Sequence, residues 1–120
     1  MKTIIGLVTA LAVNLLAPYG AWAHAALQRA EPKVGGEVSP APQKVTLWFT
    51  EALEPALSKV EVKTAAGKSV NAGESKVASD DKRRIEAAVE TLSSGTYRVE
   101  WSVVSVDGHK TSGSFIFTVK

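Results

Sequence analysis

The chain has 120 residues, with 14 Lys and Arg against 12 Asp and Glu and no cysteine. That length supports one domain with one core, and a formal net charge of +2 without a basic run argues against a nucleic-acid binder. The absence of cysteine excludes a disulfide framework, a blue-copper thiolate and a cysteine-based structural zinc site.

Residues 1–23 read as a secretory signal peptide. Lys2 starts it, an apolar stretch runs from Ile4 to Leu16, Pro18 and Gly20 break it, and Ala21-Trp22-Ala23 is a small-x-small cleavage site. The apolar stretch is shorter than the ~20 residues of a membrane span. Cleavage after Ala23 leaves a single domain over 24–120 that begins with His24. Ala23-His24-Ala25 is a competing site, and its use would remove the histidine. The first site is favoured by the spacing of Pro18 and Gly20 and by the poor fit of histidine inside such a motif. Cleavage also takes away the sole methionine, Met1, so the exported chain keeps no sulfur ligand.

Beyond the leader the dominant period is two. Val45, Leu47 and Phe49 alternate with Thr46, Trp48 and Thr50, which predicts a strand with the first set inward. Residues 52–58 suit one short helical turn. Val60 and Val62 then alternate with charged neighbours, as do Ile85, Ala87 and Val89; the alanines of 86–92 could also suit helix, but alternation favours strand. Tyr97, Val99, Trp101 and Val103 form the next alternating set, and Phe115, Phe117 and Val119 the last. Turn signals separate these runs: Gly35-Gly36, Pro40 and Pro42, Ala66-Gly67, Asn71-Ala72-Gly73, Asp80-Asp81 and Ser93-Ser94-Gly95. Lys82-Arg83-Arg84 follows two aspartates and reads as a solvated turn and strand start. Short strands at this spacing predict an all-β fold, a Greek-key antiparallel β-sandwich or barrel of about seven strands, immunoglobulin-like or cupredoxin-like. The aromatic residues fall mostly on core positions. Trp48 has the opposite parity and is assigned no function.

After cleavage only two histidines remain, His24 and His109, at opposite ends of the domain. A terminal histidine offers its α-amine and its imidazole to one metal ion, which an internal histidine cannot. His109 closes the run Ser105-Val106-Asp107-Gly108-His109, and in extended backbone Asp107 and His109 point to one side. Glu51 continues the inward parity of Val45, Leu47 and Phe49, where an ionised carboxylate is costly unless a metal, a lysine or a bend into water relieves it. Each feature alone has an ordinary structural explanation. Together, an amine, two imidazoles and a carboxylate make an N₃O set suited to tetragonal Cu(II); zinc could take the same donors in tetrahedral geometry. All of the nitrogens must shed protons to bind, so binding weakens with acid.

On these residues the chain resembles the periplasmic copper-resistance CopC family. The matching stretches are His24-Ala25, Val45-Thr46-Leu47-Trp48-Phe49-Thr50-Glu51, Gly95-Thr96-Tyr97-Arg98-Val99-Glu100-Trp101, and Val104 through Phe115, which holds Asp107-Gly108-His109. The resemblance implies a small Greek-key β domain that binds Cu(II) in the periplasm through His24, Asp107 and His109. Glu51 would be an axial ligand or a hydrogen-bond partner nearby. It also implies a CopD-like inner-membrane partner and a monomeric carrier or buffer of copper rather than an enzyme. Some family members have a methionine-rich Cu(I) site, and a chain that has lost Met1 lacks its ligands. Two other readings fit parts of the pattern. One is a small copper monooxygenase with an N-terminal histidine chelate; the other is a metal-free immunoglobulin-like accessory module.

Overall fold

Alternating sequence becomes alternating burial in the computed structural model, which describes residues 24–120; the leader and its cleavage site lie outside the described residues. Eight strands form: β1 (Leu27–Glu31), β2 (Glu37–Val38), β3 (Lys44–Phe49), β4 (Lys59–Thr64), β5 (Lys76–Val77), β6 (Arg84–Ala88), β7 (Gly95–Val104) and β8 (Lys110–Val119). One 3₁₀ turn, Pro55–Leu57, sits where the short helical turn was expected. Among the described residues, no helix is long and apolar enough to cross a membrane.

The strands make two four-stranded sheets, ordered β1-β3-β6-β5 and β2-β8-β7-β4, so the chain crosses repeatedly between layers. Val45, Leu47 and Phe49 from the first sheet and Val62, Val99 and Phe117 from the second are all 0% exposed. The period-2 pattern therefore placed the core on the correct faces. The expected β-sandwich is present, with eight strands rather than about seven. The two-residue strands β2 and β5 account for the additional pairing, and two residues are too few to show a period. The second sheet is mixed, because β2 runs parallel to β8 (Glu37 opposite Thr118, Val38 opposite Val119).

Local devices secure the layers. The hydroxyl of Tyr97 donates to the carbonyl of Ser93, 2.7 Å away, a corner of the kind that locks Greek-key sandwiches. On the edge strand β4, Asn71 accepts from Val62 N (2.7 Å) and donates to Val60 O (3.0 Å), and Ser75 accepts from Val60 N (2.9 Å). Side chains thus occupy backbone groups that would otherwise be open to another strand. Trp48 lies on the outer face, with the Arg29 guanidinium 4.4 Å from its ring centre. Trp101 meets Phe49 edge to face, with centroids 5.1 Å apart. The Lys82-Arg83-Arg84 segment turns into β6, and Arg84 pairs with Asp80 (2.6 Å) and Glu86 (3.2 Å).

Candidate metal centre

β7 and β8 are a hairpin of two ten-residue strands, paired from Gly95–Val119 to Val104–Lys110. Their connection is the segment Ser105 to His109. It is a tight turn rather than extended backbone: Ser105 N donates to His109 O (2.9 Å), Gly108 N donates to Ser105 O (2.8 Å), and Gly108 has φ +90°. A residue with a β-carbon is strained at that angle, which accounts for glycine here. The turn, and not strand parity, brings Asp107 and His109 together. His109 Nδ1 is 3.2 Å from Asp107 Oδ2, and His109 N donates to Asp107 Oδ1 at 3.3 Å.

Sequence reasoning gave no role to Ser105, which is 1% exposed beneath the turn. Its hydroxyl donates to Asp107 Oδ1 and also lies 3.3 Å from His109 O. A serine two residues before an aspartate in a turn was the available signal. The hydrogen bond from Ser105 is the main reason the Asp107 carboxyl is held below the usual carboxylate range; His109 adds to this and partial burial opposes it.

The other end of the domain reaches the same place. Ala26 and Thr50 exchange hydrogen bonds, Thr50 N to Ala26 O (2.9 Å) and Ala26 N to Thr50 Oγ1 (3.0 Å). Thr111 Oγ1 donates to Ala25 O (2.8 Å), and the Ala25 methyl is buried. Between Leu27 and Arg29 the β1–β3 register shifts, a bulge at Gln28. The bulge changes which parity faces the core, from Ala30 on one side to Leu27 and Ala25 on the other. His24 consequently stays exposed, and its ring lies against that of His109, with centroids 4.6 Å apart and planes tilted by 50°.

Three of the four expected site residues, His24, Asp107 and His109, are thus gathered at one end of the sandwich. Glu51 is adjacent through the backbone: it follows Thr50, and the next residue, Ala52, accepts a hydrogen bond through its carbonyl from Val106 N (3.0 Å). Glu51 is half-buried and makes no hydrogen bond or ion pair among the described residues. As the side chains stand, no three His, Asp or Glu among the described residues adopt a metal-ligand arrangement. The Asp107 carboxylate is engaged locally: it is hydrogen-bonded to Ser105 and to the His109 backbone and faces His109 Nδ1. The donors present are nitrogen and oxygen, a set that suits Cu(II) or Zn(II) and offers no soft ligand for Cu(I).

The β-sandwich carries two histidines and an aspartate at one end. Residues 27–120 match the CopC domain family, and the chain belongs to that family. It is similar to copper resistance protein C of Xanthomonas campestris pv. juglandis, 39% identical over 88% of this chain and 87% of that one. Protein YobA of Escherichia coli K12 is 38% identical, over 92% of this chain and 89% of that protein. Among solved structures, CopC from Methylosinus trichosporium OB3b superposes with a TM-score of 0.76 at 33% identity, covering 81% of this chain and 94% of that one.

Proposed function

We propose that this protein is a periplasmic copper-binding protein that carries or buffers Cu(II) at one mononuclear site. Signal cleavage after Ala23 exposes His24 as the first residue, whose α-amine and imidazole close a chelate on the ion. His109 and Asp107 complete the N₃O set, and Glu51 serves as an axial ligand or as a hydrogen-bond partner of His24. The observation that carries the reading is the 4.6 Å approach of the His24 and His109 rings, two histidines from opposite ends of the domain. Packing a core does not require that contact, since both rings are exposed. The names of the relatives support copper as the cargo.

The two imidazoles approach each other at the surface, where an ion can be taken up and given away without a conformational opening. The Asp107 carboxylate can serve the ion directly, in competition with its contact to His109 Nδ1. It can also orient the His109 ring by accepting from Nδ1, which leaves Nε2 for the metal. The proposed recipient is a CopD-like inner-membrane protein, and the carrier acts as a monomer.

The test is the intact mass of the exported protein, followed by Cu(II) titration of the same sample monitored by EPR. The expected result is a mass beginning at His24 and one tetragonal, nitrogen-rich signal per chain. A mass beginning at Ala26, or copper lost on desalting, overturns the proposal.

A further inference from the structure

A chelate built on a chain terminus has a difficulty that an internal site does not. Terminal residues fray unless they are tied down, and a wandering His24 would have to be ordered again each time a metal bound. The structure contains a specific answer in two threonines. Thr111 Oγ1 donates to Ala25 O at 2.8 Å, and Thr50 Oγ1 accepts from Ala26 N at 3.0 Å while Thr50 N donates to Ala26 O at 2.9 Å. The two residues that follow His24 are therefore held from both sheets, by the first residue beyond β3 and by the second residue of β8. The buried Ala25 methyl adds an apolar anchor at the same point.

The placement of the threonines is the informative part. Thr111 lies two residues after His109, so its hydroxyl ties the N-terminal segment to the strand that directly follows the second histidine. Thr50 immediately precedes Glu51, so its contacts tie the same segment to the chain beside the fourth expected site residue. Once the proposed cleavage after Ala23 has taken place, only His24 precedes the held Ala25. The His24 ring rests on His109, with centroids 4.6 Å apart.

We infer that Thr111 and Thr50 are positioning residues for the N-terminal copper chelate, holding Ala25 and Ala26 so that His24 is pre-set against His109 before the ion arrives. This rests on the Cu(II) site proposed above. Pre-organisation of this kind raises affinity by removing an ordering cost at the moment of binding. It acts without either threonine touching the metal.

The experiment uses the mature full-length protein and the variants Thr111→Val, Thr111→Ser and Thr50→Val. Valine keeps the branched shape and removes the hydroxyl; serine keeps the hydroxyl. Cu(II) affinity is measured by competition with a chelator, the EPR spectrum is recorded, and hydrogen exchange at the Ala26 amide, the hydrogen-bonded N–H of this segment, is followed in the metal-free protein. The expected result is faster exchange and an approximately tenfold weaker Cu(II) affinity for Thr111→Val. Its EPR spectrum should show a mixed or nitrogen-poorer signal, and Thr111→Ser should restore all three readouts. Thr50→Val should weaken affinity less, because the bond from Thr50 N to Ala26 O survives, but it removes the acceptor of Ala26 N–H and should speed exchange there directly. Thermal unfolding of each metal-free variant separates a lost latch from a lost fold. If Thr111→Val remains folded and matches the wild type in affinity and spectrum, the inference is overturned. If the wild type itself fails to bind Cu(II) through His24, the functional proposal fails instead, and faster exchange at Ala26 in metal-free Thr111→Val identifies that case by showing the latch without the metal site.

Discussion

Replacing Gly113 by alanine places a methyl group against the Trp101 ring. Gly113 pairs with Trp101 across β7 and β8, and an added Cβ would lie 2.4 Å from Cζ2 and 2.8 Å from Cε2 of that ring. Carbon–carbon contacts settle at ~3.5–4.0 Å, so ring and methyl must separate by about 1 Å. The ring is only partly buried, but on its inner side it meets Phe49, 5.1 Å away edge to face and fully buried, which limits how far it can yield. Overpacking of this kind costs about 1–3 kcal/mol. Alanine reduces the freedom of the unfolded chain, which offsets roughly 0.4–1 kcal/mol. The expected net loss is therefore about 1 kcal/mol, with extremes of roughly 0 and 2.6 kcal/mol. For a domain of this size each kcal/mol lowers Tm by about 4–8 °C. Thermal and urea unfolding monitored by far-UV circular dichroism read the loss. A double-mutant cycle tests the cause: in a Trp101→Leu background, Gly113→Ala should cost less than in the wild type, because the obstructing ring is gone. A Gly113→Ala variant as stable as the wild type, or one whose cost is unchanged by Trp101→Leu, would refute the steric argument.

Three further outcomes follow from the site. Adding one residue before His24 removes the amine chelate and should weaken Cu(II) binding more than His109→Ala does, as read by chelator competition; equal affinity for the extended and native proteins would count against the terminal chelate. Ser105→Ala removes the largest influence lowering the Asp107 carboxyl, so its pKa should rise toward the ordinary ~3.9, as followed by NMR titration of the side-chain carboxyl. The sign for stability follows from that lowering: the Asp107 network contributes above the unfolded-state value and is lost as pH falls through the depressed one, so the Ser105→Ala variant should lose less stability on acidification than the wild type. Glu51→Gln should leave the stoichiometry at one copper, measured by titration; complete loss of binding would make Glu51 an essential ligand.

Sandwich architecture was legible in this sequence because side chains alternate across a strand. Val45, Leu47 and Phe49 fall on one face by arithmetic alone, and that face is the buried one. The pairing of Asp107 with His109 was also visible, although for a different reason than strand parity. Gly108 at φ +90° makes the segment a turn, and the turn folds the two side chains onto each other. Trp48 was recognised as out of step, but a period cannot show that Arg29 covers it, since the partner comes from another strand. Strands β2 and β5 were invisible because two residues have no period and take their extended form from β8 and β6.

The sequence by itself determined the donor types and the core: two histidines, nearby carboxylates, no sulfur beyond Met1, and a hydrophobic alternation that can close only as β layers. Tertiary structure alone decided that His24 meets His109. The bulge at Gln28 sets which residues of the first strand face inward, the threonines at 50 and 111 hold its start, and the β7–β8 turn presents His109 to it. Proximity between chain ends depends on strand order and register, which arise from pairings distant in sequence, and local pattern carries no record of them.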